Sequence, residues 1–181
     1  TLRASTPFSQ DEIRRLMGAA VGAGAGEFRR SVEQVVGEVQ ANPGLKVRAG
    51  IGLFFLGQRQ RAVEMLEGCR EGVGRYYRAQ ALSTLKQYEA SAAEFEQAAK
   101  LGYSPTECTL RRAGELRKLG QLQEAESLIR STGAEGARLA EYSYQMGCIL
   151  AARGDTIGAI EYIERAVDMD PHHQRALFAL A

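Results

Sequence analysis

Phe95, Ile129 and Ile163 stand 34 residues apart, and the positions around them keep the same step. Ser91, Ala125 and Ala159 form a track of small residues. Leu82, Leu116 and Leu150 form a large apolar track, and Ala79, Ala113 and Gly147 a second small one. Gly120 and Gly154 share a turn track whose third member is Lys86. A fixed step of this length constrains the fold more than any single motif does. Each period must be one supersecondary unit that cannot bury its apolar face alone and therefore stacks on its neighbours.

The content of a period is visible in "GDTIGAIEYIERAVDMDP", from Gly154 to Pro171. Asp155 is placed to cap a helix, its carboxylate accepting an orphan N–H of the first turn. Ala159, Ile160, Ile163, Ala166 and Val167 recur at three- and four-residue steps and share a face, with Glu161, Glu164, Arg165 and Asp168 mostly opposite. Asp170-Pro171 then reads as a new start, an N-cap followed by Pro at the first helical position.

Period, small positions, turn and terminal Pro together resemble the tetratricopeptide repeat. The copy from Ala140 to His173 has Gly147, Gly154, Ala159, Ile163, Ala166 and Pro171 in place. The copies 106–139 and 72–105 match less fully: Thr132 and Ala137 replace a small residue and the Pro of the first, and Pro105 comes two places late in the second. None carries the family's Trp, which this chain lacks altogether. Upstream, residues 43–71 fit the template through Gly57, Ala62, Leu66 and Cys69. Ala62 lies only 29 residues before Ser91, which places the shortening in "GCREGVG". Residues 9–42 read as a degenerate first hairpin ending at Asn42-Pro43. Capping boxes are expected at Ser9–Glu12, with Phe8 and Ile13 as a staple, at Ser104–Glu107 and at Thr132–Glu135. The resemblance implies an all-α fold, an α-α superhelix of hairpins forming one domain over residues 1–181, with a further helix starting in 171–181.

The composition excludes sharper classes. A formal net charge of +1 supplies no global field for nucleic acid. No apolar run approaches the length of a membrane-spanning helix, so no membrane insertion is expected. Cys69, Cys108 and Cys148 form no C-x-x-C pair, and their odd number points to a reducing compartment, the cytoplasm. His172 and His173 are adjacent and diverge on a helix, with no cluster spaced to join them, so no metal is expected. "VGAGAGEF" has neither the preceding strand nor the Gly-Lys-Ser/Thr of a phosphate loop and reads as a turn. No catalytic constellation stands out. The chain reads as a non-enzyme without cofactor. "HHQRALFALA" stops on an apolar helix, so the array is expected to continue beyond Ala181, and the uncovered end to pair copies into dimers.

The family resemblance also implies a binding face, since its first helices line a concave groove. The positions carried over are Arg48, Tyr76, Tyr77, Gln80, Arg111, Arg117, Lys118, Tyr144 and Gln145. Tyr supplies apolar area with a polar tip, Arg pairs with carboxylates, and Gln serves backbone groups. The first helices are rich in Arg and Lys and the second helices in Glu, so the expected partner is a protein or peptide of acidic character. The Lys–Asn set with which some family members clamp a C-terminal carboxylate is absent. The alternatives are a nucleic-acid-binding array of the pentatricopeptide type, whose period of 35 the 34-residue step disfavours, and an enzyme with an unrecognised site.

Overall fold

The computed structural model describes residues 10–22 and 24–181, so the proposed Ser9–Glu12 box and Phe8–Ile13 staple lie outside the described residues. The described residues contain helices and no strand. They gather into two compact units, Thr1–Gln87 and Tyr88–Ala181. The first unit holds α1 (Gln10–Val21), α2 (Ala25–Glu38), a 3₁₀ turn at Pro43–Leu45, α3 (Lys46–Phe55), α4 (Arg59–Met65) and α5 (Gly72–Thr84). The second holds α6 (Tyr88–Lys100), α7 (Pro105–Lys118), α8 (Leu122–Ser131), the short α9 (Gly133–Gly136), α10 (Ala140–Ala152), α11 (Thr156–Met169) and α12 (Gln174–Leu180).

One backbone device recurs at the ends of four helices. At Gly57, Lys86, Gly120 and Gly154 the chain enters the left-handed region, with φ of 78°, 61°, 80° and 85°. The N–H of each of these residues bonds the carbonyl three residues back, and the next N–H reaches five back, as in Gly154 to Ala151 and Asp155 to Leu150, both 3.0 Å. This pair of bonds satisfies the last carbonyls of the preceding helix, and at Gly57, Gly120 and Gly154 it reverses the chain within a unit. At the last of these turns the following residue caps the next helix: Asp155 Oδ1 accepts from the Gly158 N–H at 3.0 Å, as its sequence position suggests.

Phe95, Ile129 and Ile163 occupy equivalent buried sites on α6, α8 and α11. In the second unit Leu110, Ala113 and Leu116 of α7 pack with Ala125 and Ile129 of α8 and Met146 and Ile149 of α10. Ile163 and Ala166 of α11 then meet Ala176 of α12. Gly147 is small for a reason: a Cβ there would lie 2.6 Å from Ile163 Cγ1 and 2.9 Å from the Ala159 carbonyl.

Four local expectations are corrected. The shortening before Ser91 lies in the helix: α4 has 7 residues where α6 has 13 and α11 has 14. Basic side chains satisfy the carbonyls around its end. Arg78 Nε donates to Val63 O at 3.2 Å, Lys46 Nζ to Glu67 O at 2.6 Å and Arg75 Nε to Cys69 O at 2.8 Å. The Ser104–Glu107 box does not form, because Ser104 takes a left-handed conformation and Glu107 pairs with Arg111 instead. The Thr132–Glu135 box is also absent, since the Thr132 hydroxyl bonds back to the Ile129 carbonyl at 2.6 Å. The last helix starts at Gln174 and not at Pro171; Asp170 Oδ1 accepts from the His172 N–H at 3.0 Å, and His173 becomes the cap.

Candidate interaction face

The groove residues read from the sequence separate into two groups, one per unit. In the first unit Arg48, Tyr76 and Tyr77 are buried and Gln80 is half-buried. Arg48 Nη1 lies 3.4 Å from Glu12 Oε1, and so ties α3 to α1. Tyr77 meets the rings of Phe54, Phe55 and Tyr76 edge-on, at centroid separations of 5.2, 5.4 and 5.4 Å. These contacts join α1, α3 and α5.

In the second unit the residues come from the first-helix layer, α7 and α10, joined by the start of α12. Their centre is Glu141, at the start of α10 and one turn before Tyr144 and Gln145. Its side chain is 7% exposed, and it accepts from Gln145 Nε2 at 2.7 Å and from Arg175 Nη2. His173 Nε2 is 3.2 Å away and Arg111 Nη2 4.0 Å. Burial alone would raise the Glu141 carboxyl. The Arg111 charge, the His173 hydrogen bond, Arg175 and Gln145 outweigh it and hold the group well below the usual carboxylate range. His173 has both ring nitrogens occupied, because Nδ1 accepts the Ala176 N–H at 3.1 Å. That acceptor role assigns the proton to Nε2, which donates to Glu141. A signal for this cluster was present: Glu107, Glu141 and Arg175 stand one 34-residue step apart, and Gln145 is one turn beyond Glu141.

Tyr144 sits against this cluster. Its ring centroid is 5.1 Å from that of His173, and the Arg175 guanidinium lies over it at 5.0 Å. Burial, followed by the charge and hydrogen bond of Cys148, pushes the Tyr144 phenol up to about 12 against Arg175 and Arg117, so it stays protonated. Gln145 is buried and spends its amide on Glu141, while its oxygen takes Arg117 Nε at 3.5 Å.

The basic inner layer expected from the sequence is largely neutralised here. Arg111 lies 3.3 Å from Glu107, Arg112 3.4 Å from Glu96, and Lys118 2.8 Å from Glu115. Lys118 also stands over the Tyr88 ring at 5.1 Å. Arg117 differs. It is half-buried beside Tyr144 and Gln145, and among the described residues no carboxylate lies within ion-pair distance of it. Cys108 donates to the Tyr103 carbonyl, and burial raises its thiol to about 12. No group of three or more His, Cys, Asp or Glu among the described residues could hold a metal ion. No described helix is long and apolar enough to cross a membrane.

The sequence profile of the tetratricopeptide repeat matches residues 140–173. Residues 140–173 are a tetratricopeptide repeat. The match spans α10 and α11, the helices that carry Glu141, Tyr144, Gln145 and Ile163. Solved structures extend the likeness across the chain. YrrB, a TPR protein with an unusual peptide-binding site, is 20% identical, with 94% of this chain and 91% of that one covered and a TM-score of 0.66. MamA is 13% identical, with 92% and 97% covered and a TM-score of 0.68. MamA from Desulfovibrio magneticus RS-1 is 19% identical, with 87% and 81% covered and a TM-score of 0.54. The chain thus has the all-α, helical-hairpin fold of tetratricopeptide-repeat proteins. No curated protein sequence matches it.

Proposed function

We propose that this chain is a protein-interaction scaffold, and that the first-helix layer of Tyr88–Ala181 holds an acidic peptide segment of a partner. Arg117 carries the reading. A half-buried guanidinium with only a long contact to Gln145 has donors to give to a carboxylate, in a setting drier than open surface. Tyr144 beside it offers apolar area at low entropic cost, and its protonated phenol can donate. The tetratricopeptide repeat at 140–173 and the fold shared with YrrB, itself a peptide-binding protein, support the assignment. Arg111 is a poor reporter, because it is committed to Glu107 and Glu141.

The test is selection of a displayed peptide library on the protein, followed by titration of the selected peptides against wild type and Arg117→Glu at two salt concentrations. Acidic peptides should be enriched. Arg117→Glu should weaken them by about tenfold or more, because it replaces an attraction by a repulsion. Selection of peptides without acidic residues, or equal affinity for both proteins, would place the binding surface elsewhere.

A further inference from the structure

On α11 and α12 of the second unit, the described residues leave apolar side chains exposed. On α12, Ala176 is buried against Ile163 and Ala166, but Leu177 is 43% and Leu180 39% exposed. On α11, Ile160 is 45% exposed, one turn before the buried Ile163. Helical periodicity places Ile160 on the edge of α11 that continues through Ile163 and Val167 toward α12. Leu180, four residues after Ala176, points toward the same edge. This periodicity aligns Ile160 and Leu180 along one side of the α11–α12 pair, with the exposed Leu177 three residues before Leu180.

The rim of this strip has one sign. Ile157, Ile160, Glu161, Glu164 and Asp168 follow one another at i, i+3, i+4, i+7 and i+11, a single stripe of α11. Glu161, Glu164 and Asp168 are exposed. None of the three makes an ion pair among the described residues. That distinguishes them from Glu96 and Glu126, each held by two basic side chains. An apolar strip edged by unneutralised carboxylates has a defined complement: a helix that is apolar on one face and basic along one flank.

We infer that the α11–α12 face of the second unit docks an amphipathic helix of a partner, with Ile160, Leu177 and Leu180 taking its apolar side chains and Glu164 and Asp168 pairing with its basic flank. This surface is separate from the Arg117–Tyr144 face and does not depend on a peptide binding there. The carboxylate rim sets the orientation and rejects acidic helices, since like charges would face each other on docking.

The probes are two short helix-forming peptides with the same Leu-rich face, one with Lys along the flank and one with Glu, titrated by fluorescence anisotropy. The Lys peptide should bind at least about tenfold more tightly than the Glu peptide. Glu164→Lys with Asp168→Lys should remove or reverse that preference; both sites are exposed, so the fold is not at risk. Leu177→Ser with Leu180→Ser should abolish binding of both peptides while the circular dichroism stays that of wild type. Arg117→Glu should leave binding of the Lys peptide unchanged. The inference is overturned by equal affinities, by absence of binding, or by a preference that survives the Lys substitutions. It is also overturned if sedimentation shows a dimer that the Ser substitutions dissolve, because the occupant is then a second copy of this chain.

Discussion

At the scale of single residues, the repeat is written as a set of steric allowances. Lys86 stands where the equivalent turns have glycine, yet its φ of 61° is the same left-handed conformation. An L-residue there is strained by roughly 1–2 kcal/mol, because its Cβ crowds the backbone. Lys86→Gly should therefore raise stability by about 1 kcal/mol, less than the full strain because glycine gains freedom in the unfolded chain. Urea unfolding should show a higher midpoint with an unchanged slope; a lower midpoint would mean that the lysine side chain contributes more than its backbone costs. Gly147 makes the opposite case. An alanine there meets a backbone carbonyl and Ile163, neither of which can swing away, so Gly147→Ala should destabilise by about 1–3 kcal/mol in the same assay. Both positions were legible in the sequence from the 34-residue step alone, since a spatial constraint that recurs once per period leaves a track.

Elements are joined by groups that leave no such track, and Glu141 is the main example. It belongs to α10 but binds Arg111 of α7 and His173 and Arg175 at the start of α12. Because its carboxyl is held below the usual range in the folded state, the charged form stabilises the fold. That stability is present above the ordinary carboxylate value of 4.5 and is lost as pH falls below it. Wild type should therefore lose stability between about pH 5 and pH 3, and Glu141→Gln should lose less over that interval. At pH 7 the same substitution leaves Arg111 and Arg175 without their shared anion. It should cost about 2–3 kcal/mol, at the low end for a broken buried pair because Arg175 is 39% exposed. Thermal melts of both proteins across that range decide it: parallel curves would show that the carboxylate does not titrate against folding. The sequence reading found the hairpins but missed this link, because a hydrophobic pattern reports what a helix buries and not which charge bridges three helices. Tyr76, Tyr77 and Arg48, read from the sequence as groove residues, are buried in the first unit, since a polar or aromatic residue on a first helix can as easily pack against its own unit as face a ligand. The boxes at Ser104 and Thr132 failed on conformation, which neighbouring turns decide.

For the whole molecule, the net charge of +1 conceals how the charges are spent. Arg48, Arg61, Arg112, Lys118, Arg130 and Arg153 each face a carboxylate of the same unit. Glu33 shows the effect most plainly, its carboxyl lowered chiefly by the Arg61 hydrogen bonds at 2.7 and 2.9 Å. A cation already paired within the fold releases no counterion from a phosphate backbone unless its pair is first broken. Nucleic-acid affinity scales with the number of cations free to do so. The helical-repeat architecture alone is compatible with RNA as well as with peptides; pairing within the fold leaves fewer basic side chains to meet a phosphate backbone. A single-stranded RNA oligonucleotide should therefore show no saturable binding at about 150 mM salt, that is, a Kd weaker than about 100 μM, the weak end of non-specific association. Lowering the salt should bring only a shallow increase, the slope of one or two phosphate contacts rather than of many. Peptides selected on the Arg117 face should weaken with salt as well, but only those carrying carboxylates, and Arg117→Glu should remove most of that dependence. Anisotropy titrations of both ligands at several salt concentrations separate the cases. Micromolar RNA binding with a steep salt slope would mean that the internal ion pairs open on contact, and the array would then be a nucleic-acid binder whose peptide affinity is incidental.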